Sequence, residues 1–148
     1  TARSPNSSLG RCFFSLSSIS MGRFLKTGTG WRLGWDANAA EFKGLVGAEE
    51  WALELTEAEF HDFRRLSEQI QHTMEGMRSH LMEEEKIACE VESDRLWLEA
   101  EGFPHQYSLR LLLRSGRCAE GFWNASAVPS LLQTLLSMPL TAEANAVF

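Results

Sequence analysis

Alternating apolar and polar residues predict strands over much of this chain. In the first half, the pattern marks Trp31–Trp35 and Trp51–Leu55, each with one buried face. Four more strands are expected in the second half, at Ile87–Glu92, Arg95–Glu101, Tyr107–Arg114 and Cys118–Trp123. Short polar connections such as Ser93–Asp94 and Ser115–Gly116 separate these strands, which favours antiparallel pairing.

Two further segments show helical spacing. Thr56-Glu-Ala-Glu59 is a capping box, in which each of the two end residues accepts a hydrogen bond from the other's backbone N–H. It predicts a helix over Glu57–Glu84. The apolar stripe of this helix would consist of Phe60, Phe63, Ile70, Met74, Met77 and Leu81. A shorter helix is expected after Ser126 as its cap, with Pro129 in its first turn and Pro139 at its end.

Together these elements predict an α+β fold. Their order is ββαββββα, with the helices on one face of an antiparallel sheet. The length of 148 residues indicates one domain, which we place at residues 21–140. Residues 1–20 form a basic, serine-rich tail or the remnant of a transit peptide, and residues 141–148 form a C-terminal tail.

The N-terminal segment differs in charge from the rest of the chain. Residues 1–30 carry four basic side chains and no acid, whereas residues 31–148 have a net charge of −10. Seven of the first twenty residues are serine, a composition typical of an organellar transit peptide but equally that of an ordinary disordered terminus. Arg11, Phe13 and Phe14 are the side chains with which this tail is expected to bind a partner or the acidic domain.

The overall composition disfavours several classes of protein. A net charge of −6 counts against a general nucleic-acid binder, because such proteins bind phosphate through Lys and Arg. The longest apolar runs span only a few residues, so no transmembrane helix is expected. Three cysteines, an odd number, indicate reduced thiols in a reducing compartment.

No motif in the chain predicts a catalytic, cofactor or metal site. Gly28-Thr-Gly30 lacks the third glycine and the following helix of a dinucleotide-binding loop. The cysteines have no CxxC spacing, and no two of the helix histidines His61, His72 and His80 lie four residues apart. His72 and Glu75 could share a metal ion, as any pair three residues apart on a helix could. No nucleophile is paired with a base and an orienting group. We therefore expect no enzyme activity, no cofactor and no metal.

One face of the predicted sheet is rich in charge. By alternation it collects Glu50, Glu54, Glu90, Glu92, Glu99, Glu101, Arg95, Arg110 and Arg114. Cross-strand ion pairs on a wet surface are the simpler explanation, each contributing about 0–1 kcal/mol. The alternative is a docking face for a protein, which Trp97 favours because tryptophan beside arginine often anchors an interface. The candidate partner-binding residues of this face are Arg95, Trp97, Glu99 and Arg110.

Several segments of the chain carry a family resemblance. They are residues 21–36 (MGRFLKTGTGWRLGWD), 47–60 (GAEEWALELTEAEF), 107–111 (YSLRL), 117–123 (RCAEGFW) and 127–129 (AVP). Together they resemble the cyanobacterial and plastid proteins grouped as domain of unknown function 1818, over about residues 21–138. The resemblance implies a fold similar to whirly-type and coactivator-type regulators that bind single-stranded DNA, which is a curved antiparallel sheet with helices, often paired in a dimer. It implies no known activity and no catalytic residues, and it implies a plastid or photosynthetic setting.

These features lead to three hypotheses about function. The first is a non-enzymatic accessory or interaction subunit of a photosynthetic or other plastid assembly. Such a subunit would be nucleus-encoded, on the stromal side of the chloroplast and peripheral to a membrane at most, with a homodimer left open. The second is a regulator that binds single-stranded nucleic acid, although six Glu against three Arg on the candidate face differ from a basic groove. The third is an enzyme or ligand-binding protein whose site the sequence does not reveal.

Overall fold

The structure is a computed structural model that describes residues 22–78 and 85–138. Four strands, a long helix, four more strands and a shorter helix follow one another there. The first half contains β1 (Arg23–Gly28), β2 (Trp31–Asp36), β3 (Gly44–Gly47), β4 (Ala52–Leu55) and α1 (Glu57–Met77). The second half contains β5 (Ile87–Glu92), β6 (Leu96–Phe103), β7 (Gln106–Leu113), β8 (Glu120–Trp123) and α2 (Val128–Ser137).

The strands form two antiparallel sheets rather than one. Each sheet has four strands in chain order, β1 to β4 in the first and β5 to β8 in the second. The α+β class with antiparallel pairing is therefore confirmed, whereas the predicted order ββαββββα omitted β1 and β3. Only Phe24 is even half-buried in β1, so that strand shows no apolar alternation, and β3 has just four residues with glycine at both ends.

Helix α1 begins at the predicted capping box. The Thr56 N–H donates to Glu59 Oε1 at 2.9 Å, and the Glu59 N–H donates to Thr56 Oγ1 at 3.1 Å. The apolar stripe is buried as far as Met74, but Met77 is 37% exposed, contrary to the prediction. Every side chain from Glu75 to Arg78 is exposed, so the helix has passed the edge of the core at that point. Leu81 and the predicted helix end at Glu84 lie outside the described residues.

Helix α2 starts one residue later than its predicted cap. Its N-cap is Ala127, which makes no side-chain cap bond, so the assignment of Ser126 as the cap is wrong. The side chain of Asn124 replaces it, because Asn124 Oδ1 accepts from the Ala127 N–H at 3.2 Å and from the Ser126 hydroxyl at 2.6 Å. Pro129 lies in the first turn, as predicted.

The two sheets and the two helices enclose one apolar core, in which Trp123 joins the sheets. Its indole N–H, on β8, donates to the Gly47 carbonyl of β3 at 2.8 Å, and its ring stacks on Phe63 of α1 at 5.6 Å. Trp51 makes a second link from the first sheet, since its indole N–H donates to the Phe122 carbonyl at 3.1 Å. Trp51 is itself half-buried and packs against the core.

Candidate functional site

One face of the second sheet points away from the core, and we call it the outer face. In β6 and β7 the side chains of alternate residues, such as Leu98 and Leu111, are fully buried, so their neighbours in sequence point outward. The outer face consists of Ala88, Glu90, Glu92, Trp97, Glu99, Glu101, Ser108, Arg110, Leu112, Glu120 and Phe122. It therefore contains large apolar and charged side chains together.

Three neighbouring side chains on this face are apolar, and we call them the apolar trio. Trp97 lies opposite Leu112 in the β6–β7 ladder, and Phe122 lies diagonally from Leu112 on β8. Leu112 is 37% exposed and Phe122 is 47% exposed, while Trp97 is half-buried. The Trp97 indole N–H reaches Glu90 Oε1 at 3.4 Å, so even its polar edge faces the charged surroundings. Adjacent apolar side chains at these exposures are typical of interaction surfaces rather than of a wet sheet.

Glutamates surround the apolar trio. Five of them lie on the outer face, namely Glu90, Glu92, Glu99, Glu101 and Glu120. Arg110 Nη1 is 3.9 Å from Glu120 Oε2, and Arg114 Nη1 donates to Glu92 Oε1 at 2.5 Å. These two arginines leave the face with an acidic excess, which favours a basic ligand.

The structure brings three of the four sheet-face candidates together. Trp97, Glu99 and Arg110 share the outer face, with Glu99 directly opposite Arg110. The assignment of Arg95 to that face is wrong, because its Nη1 lies 3.2 Å from Asp62 Oδ2 on α1. Arg95 belongs to the β5–β6 turn, where the chain leaves the pleat and its side chain reaches the helix.

Two further predictions about the face also fail. Glu54 belongs to β4 of the first sheet, and Glu50 lies in the turn before β4, so neither is on the outer face. The sequence reasoning missed Leu112 and Phe122, although each is an apolar residue at a position where the alternation calls for a polar one. The tail candidates Arg11, Phe13 and Phe14 lie outside the described residues.

A second group of polar contacts ties the start of α1 to two loops of the second sheet. The buried Glu59 carboxylate accepts from Arg117 Nη2 at 2.5 Å and from the Ser115 hydroxyl. Burial alone would raise the pKa of Glu59, but the Ser115 and Thr56 hydrogen bonds and the charge of Arg117 outweigh it and lower that pKa. These contacts fasten the β7–β8 loop to the helix.

Asp62, one turn further along α1, fastens the β5–β6 turn in the same way. Its carboxylate accepts from the Ser93 hydroxyl at 2.8 Å and from Arg95 at 3.2 Å. Burial alone would raise the pKa of Asp62. The hydrogen bonds from Ser93 and Arg95 and the charges of Arg95 and Arg65 outweigh burial, so the pKa of Asp62 is lowered overall. Each acid uses its oxygens on cations and hydroxyls of the fold itself, so their arrangement is structural.

The lowered pKa values of Glu59 and Asp62 predict loss of stability in acid. A carboxyl whose folded pKa lies below its unfolded value stabilises the fold above the unfolded pKa, and this contribution is lost as the pH falls through the folded pKa. We expect the free energy of unfolding, measured with urea, to be flat near neutral pH and to decrease below about pH 4. Asp62→Asn should be less stable at pH 7 and should show a shallower decrease. An unchanged slope in this variant would contradict the assignment.

Two clefts lie away from the outer face. One, of about 280 Å³, is lined by His61, Arg64, Arg65, Glu68 and Leu136. The other, of about 250 Å³, lies between the two helices and the β6–β7 turn and includes Tyr107, whose pKa burial raises to about 12. Neither cleft places a nucleophile beside a base with an orienting group. Within residues 22–78 and 85–138, no three His, Cys, Asp or Glu side chains are grouped so that they could hold a metal ion.

Comparison with known proteins identifies a family without an assigned activity. The family model described as domain of unknown function DUF1818 matches residues 26–138. A crystal structure of a protein of unknown function, assigned to the DUF155 family and from the cyanobacterium Prochlorococcus sp. NATL2A, is similar in fold. It has a TM-score of 0.74 and 27% identity, over 78% of this chain and 98% of that one. No curated protein matches the chain.

No helix among the described residues is long and apolar enough to cross a membrane. By the match over residues 26–138, the chain belongs to the DUF1818 family.

Proposed function

We propose that this protein is a non-enzymatic docking subunit that binds a partner protein on the outer face of its second sheet. The observation that carries the proposal is the apolar trio of Trp97, Leu112 and Phe122, placed side by side within an acidic surround. An interface usually has such an arrangement, with aromatic and aliphatic anchors at its centre and polar residues at its rim.

The charge of the outer face specifies the chemistry of the partner. Five glutamates against Arg110 and Arg114 attract a basic surface, and the apolar trio requires apolar side chains opposite it. The expected partner segment therefore combines Lys or Arg with aromatic or aliphatic residues. The chain's own N-terminal segment has this composition, with Arg11, Phe13 and Phe14, so self-docking of the tail is a competing occupant.

The plastid setting is part of the proposal. Its support is the serine-rich, acid-free composition of residues 1–20, with Arg3 and Arg11 as its basic residues, and the fold likeness to a cyanobacterial protein. We propose a stromal location in an oxygenic phototroph, within a photosynthetic or other plastid assembly. Import of a fluorescent fusion into chloroplasts would test the location separately from the docking face.

Introducing a negative charge into the apolar trio should abolish partner binding. We expect Phe122→Asp to dissociate from the native assembly, because its carboxylate would face both the glutamates and the partner's apolar side chains. The measurements are the size of the native assembly by size exclusion and the co-purification of the variant with it. Leu25→Asp is the matched control, since Leu25 is 63% exposed on β1 of the other sheet. Equal retention of Phe122→Asp and the parent protein, with both folded, would remove the outer face from the proposal.

Nucleic-acid binding by fold analogy is the alternative function, and we expect it to be weak. Whirly-type regulators, whose fold is what the family resemblance of the sequence implies, need a basic path for the phosphates and aromatic platforms for the bases. On the outer face Trp97 and Phe122 could stack on bases, but the glutamates repel phosphate. A titration with a single-stranded oligonucleotide at about 150 mM salt should show no saturation at micromolar protein. Sub-micromolar affinity that persists without residues 1–20 would favour the alternative.

A further inference from the structure

The edge strand β5 of the second sheet differs from the opposite edge, β8. Within the described part of the chain, β5 pairs only with β6. The outward-facing carbonyl of Phe122 on β8 already accepts from the Trp51 indole, and the Trp51 ring packs so closely on Gly121 that any side chain there would collide with it. The β8 edge is therefore covered, and β5 presents its backbone to a further strand.

The ladder shows which backbone groups β5 presents. The Ser93 N–H donates to the Leu96 carbonyl at 2.8 Å, which makes these two residues a hydrogen-bonded pair at the head of the β5–β6 ladder. Hydrogen-bonded and non-hydrogen-bonded pairs alternate along antiparallel strands. The odd-numbered residues of β5 therefore bond to β6, while Ala88, Glu90 and Glu92 direct their N–H and C=O groups to the open edge.

The core-facing side chains of β5 are incompletely covered. Ile87, Cys89 and Val91 pack against the core but remain half-buried, whereas the corresponding side chains of β6, such as Leu98, are fully buried. A strand added at this edge would complete their burial and satisfy the open backbone groups. The ligand that fits β5 is therefore another strand with apolar residues at alternate positions.

We propose that β5 pairs with β5 of a second copy of this chain, antiparallel across a two-fold axis at Cys89, to give a dimer with a continuous eight-stranded sheet. In this register Glu90 forms hydrogen-bonded pairs with the partner's Ala88, and Ile87 lies against the partner's Val91. Cys89 faces the partner's Cys89 as a non-hydrogen-bonded pair, in which side chains approach most closely.

Charge is compatible with this register and disfavours one of its neighbours. With the axis at Cys89, Lys86 lies opposite the partner's Glu92 on the outer face, and no glutamate faces another. With the axis at Glu90, two glutamates lie directly opposite each other, which is destabilising. With the axis at Ala88, Lys86 lies opposite the partner's Glu90 instead, so the position of the cross-link, and not charge, distinguishes that register from the one at Cys89. The dimer is a self-complementary interface that closes after two copies.

The register can be tested by cysteine cross-linking of the full chain. In a Cys12→Ser/Cys118→Ser background, mild oxidation should link Cys89 to the partner's Cys89 and give a band at twice the chain mass under non-reducing conditions. Ala88→Cys and Glu90→Cys, each with Cys89→Ser in that background, are matched controls that should not be cross-linked by the same oxidation and should give a band at the mass of one chain. Efficient linking through either control instead of Cys89 would overturn the proposed register.

Association itself is tested in reduced protein by light scattering after size exclusion. The parent protein should have twice the chain mass, and Lys86→Glu should raise the dimer dissociation constant by about tenfold, because two ion pairs become repulsive. The double variant Lys86→Glu/Glu92→Lys should recover part of the dimer affinity, because the two ion pairs form again with their charges exchanged. The recovery is partial because Glu92→Lys also removes the ion pair of Glu92 with Arg114 in its own chain.

Glu90→Pro should give a folded monomer, since the Glu90 N–H bonds to no strand within the same sheet. A circular dichroism spectrum like that of the parent protein would show that the Glu90→Pro monomer is folded. If Glu90→Pro does not fold, the dissociation constant of the Lys86→Glu dimer tests the proposal instead. A parent protein that is monomeric at high micromolar concentration, or a dimer that both variants leave intact, would overturn the proposal. Phe122→Asp should leave the dimer intact, so the failure of dimerisation and of docking are separable.

Discussion

Replacing Phe63 by alanine should lower the free energy of unfolding by about 3–5 kcal/mol. Phe63 is fully buried on α1, it stacks on Trp123 at 5.6 Å, and it meets Phe60 edge-on at 6.4 Å. Removing the ring leaves a cavity beside the tryptophan that joins the two sheets, and a close-packed core relaxes only partly into such a cavity. The measurement is the urea midpoint, with the slope checked for a change in cooperativity.

Met77→Ala is the matched control for Phe63→Ala. Both residues belong to the predicted apolar stripe of α1, but Met77 is 37% exposed at the last turn. We expect this substitution to change the free energy of unfolding by less than about 0.5 kcal/mol. Equal effects of the two substitutions would mean that α1 packs in another rotation or extends further over the core.

Replacing Glu59 by alanine should have the second-largest effect, a loss of about 3 kcal/mol. The side chain is only 4% exposed, and its carboxylate accepts from the Thr56 N–H, the Ser115 hydroxyl and Arg117. The substitution therefore removes half of the capping box and leaves the Arg117 guanidinium with the Glu54 carbonyl, at 2.6 Å, and the face of the Phe42 ring. Urea unfolding at pH 7 gives the loss in stability.

Glu57→Ala is the control for Glu59→Ala, because Glu57 is an acid of the same helix turn. Its side chain is 41% exposed, and its Oε2 is 3.7 Å from His61 Nε2. Since exposed pairs contribute about 0–1 kcal/mol, we expect a small loss. In Glu59→Ala, the β7–β8 loop should also become more accessible to protease. Intact protection of that loop would contradict the role given to Glu59.

The two proposed interactions use different parts of one sheet. The apolar trio consists of side chains of β6, β7 and β8 on the outer face, whereas self-pairing uses the backbone of β5 at the edge. A dimer would place two outer faces on one continuous sheet, so a partner with two basic segments could bind both faces at once. Such bivalent binding exceeds the affinity of either face alone.

Local sequence patterns were enough to predict the elements whose signals are short in range. The start of α1 follows from the four residues of its capping box, since both hydrogen bonds close within one turn. Strands β5, β6 and β7 follow from the alternation of apolar and polar residues, which Leu112 interrupts with a large apolar side chain on the exposed face. The absence of that alternation explains why β1 was not predicted.

The candidate site was predictable only in part. Alternation placed Trp97, Glu99 and Arg110 on one face, because a strand's pleat determines the side of each residue. It failed for Arg95, whose position beyond the strand end lets the side chain reach Asp62 of α1. It also failed for Glu54, because alternation tells which face a residue occupies but not which sheet its strand joins.

From the sequence alone came the antiparallel α+β class, the start of α1 and the acidic character of the sheet face. Only the tertiary structure decided that there are two sheets, that Leu112 and Phe122 complete an apolar trio with Trp97, and that β8 is covered whereas β5 pairs on one side alone within residues 22–78 and 85–138. The physical reason is the sequence separation over which each interaction acts. Caps and alternation depend on residues a few positions apart, whereas the contact of Trp51 with β8 joins segments 71 residues apart, and no local preference encodes it.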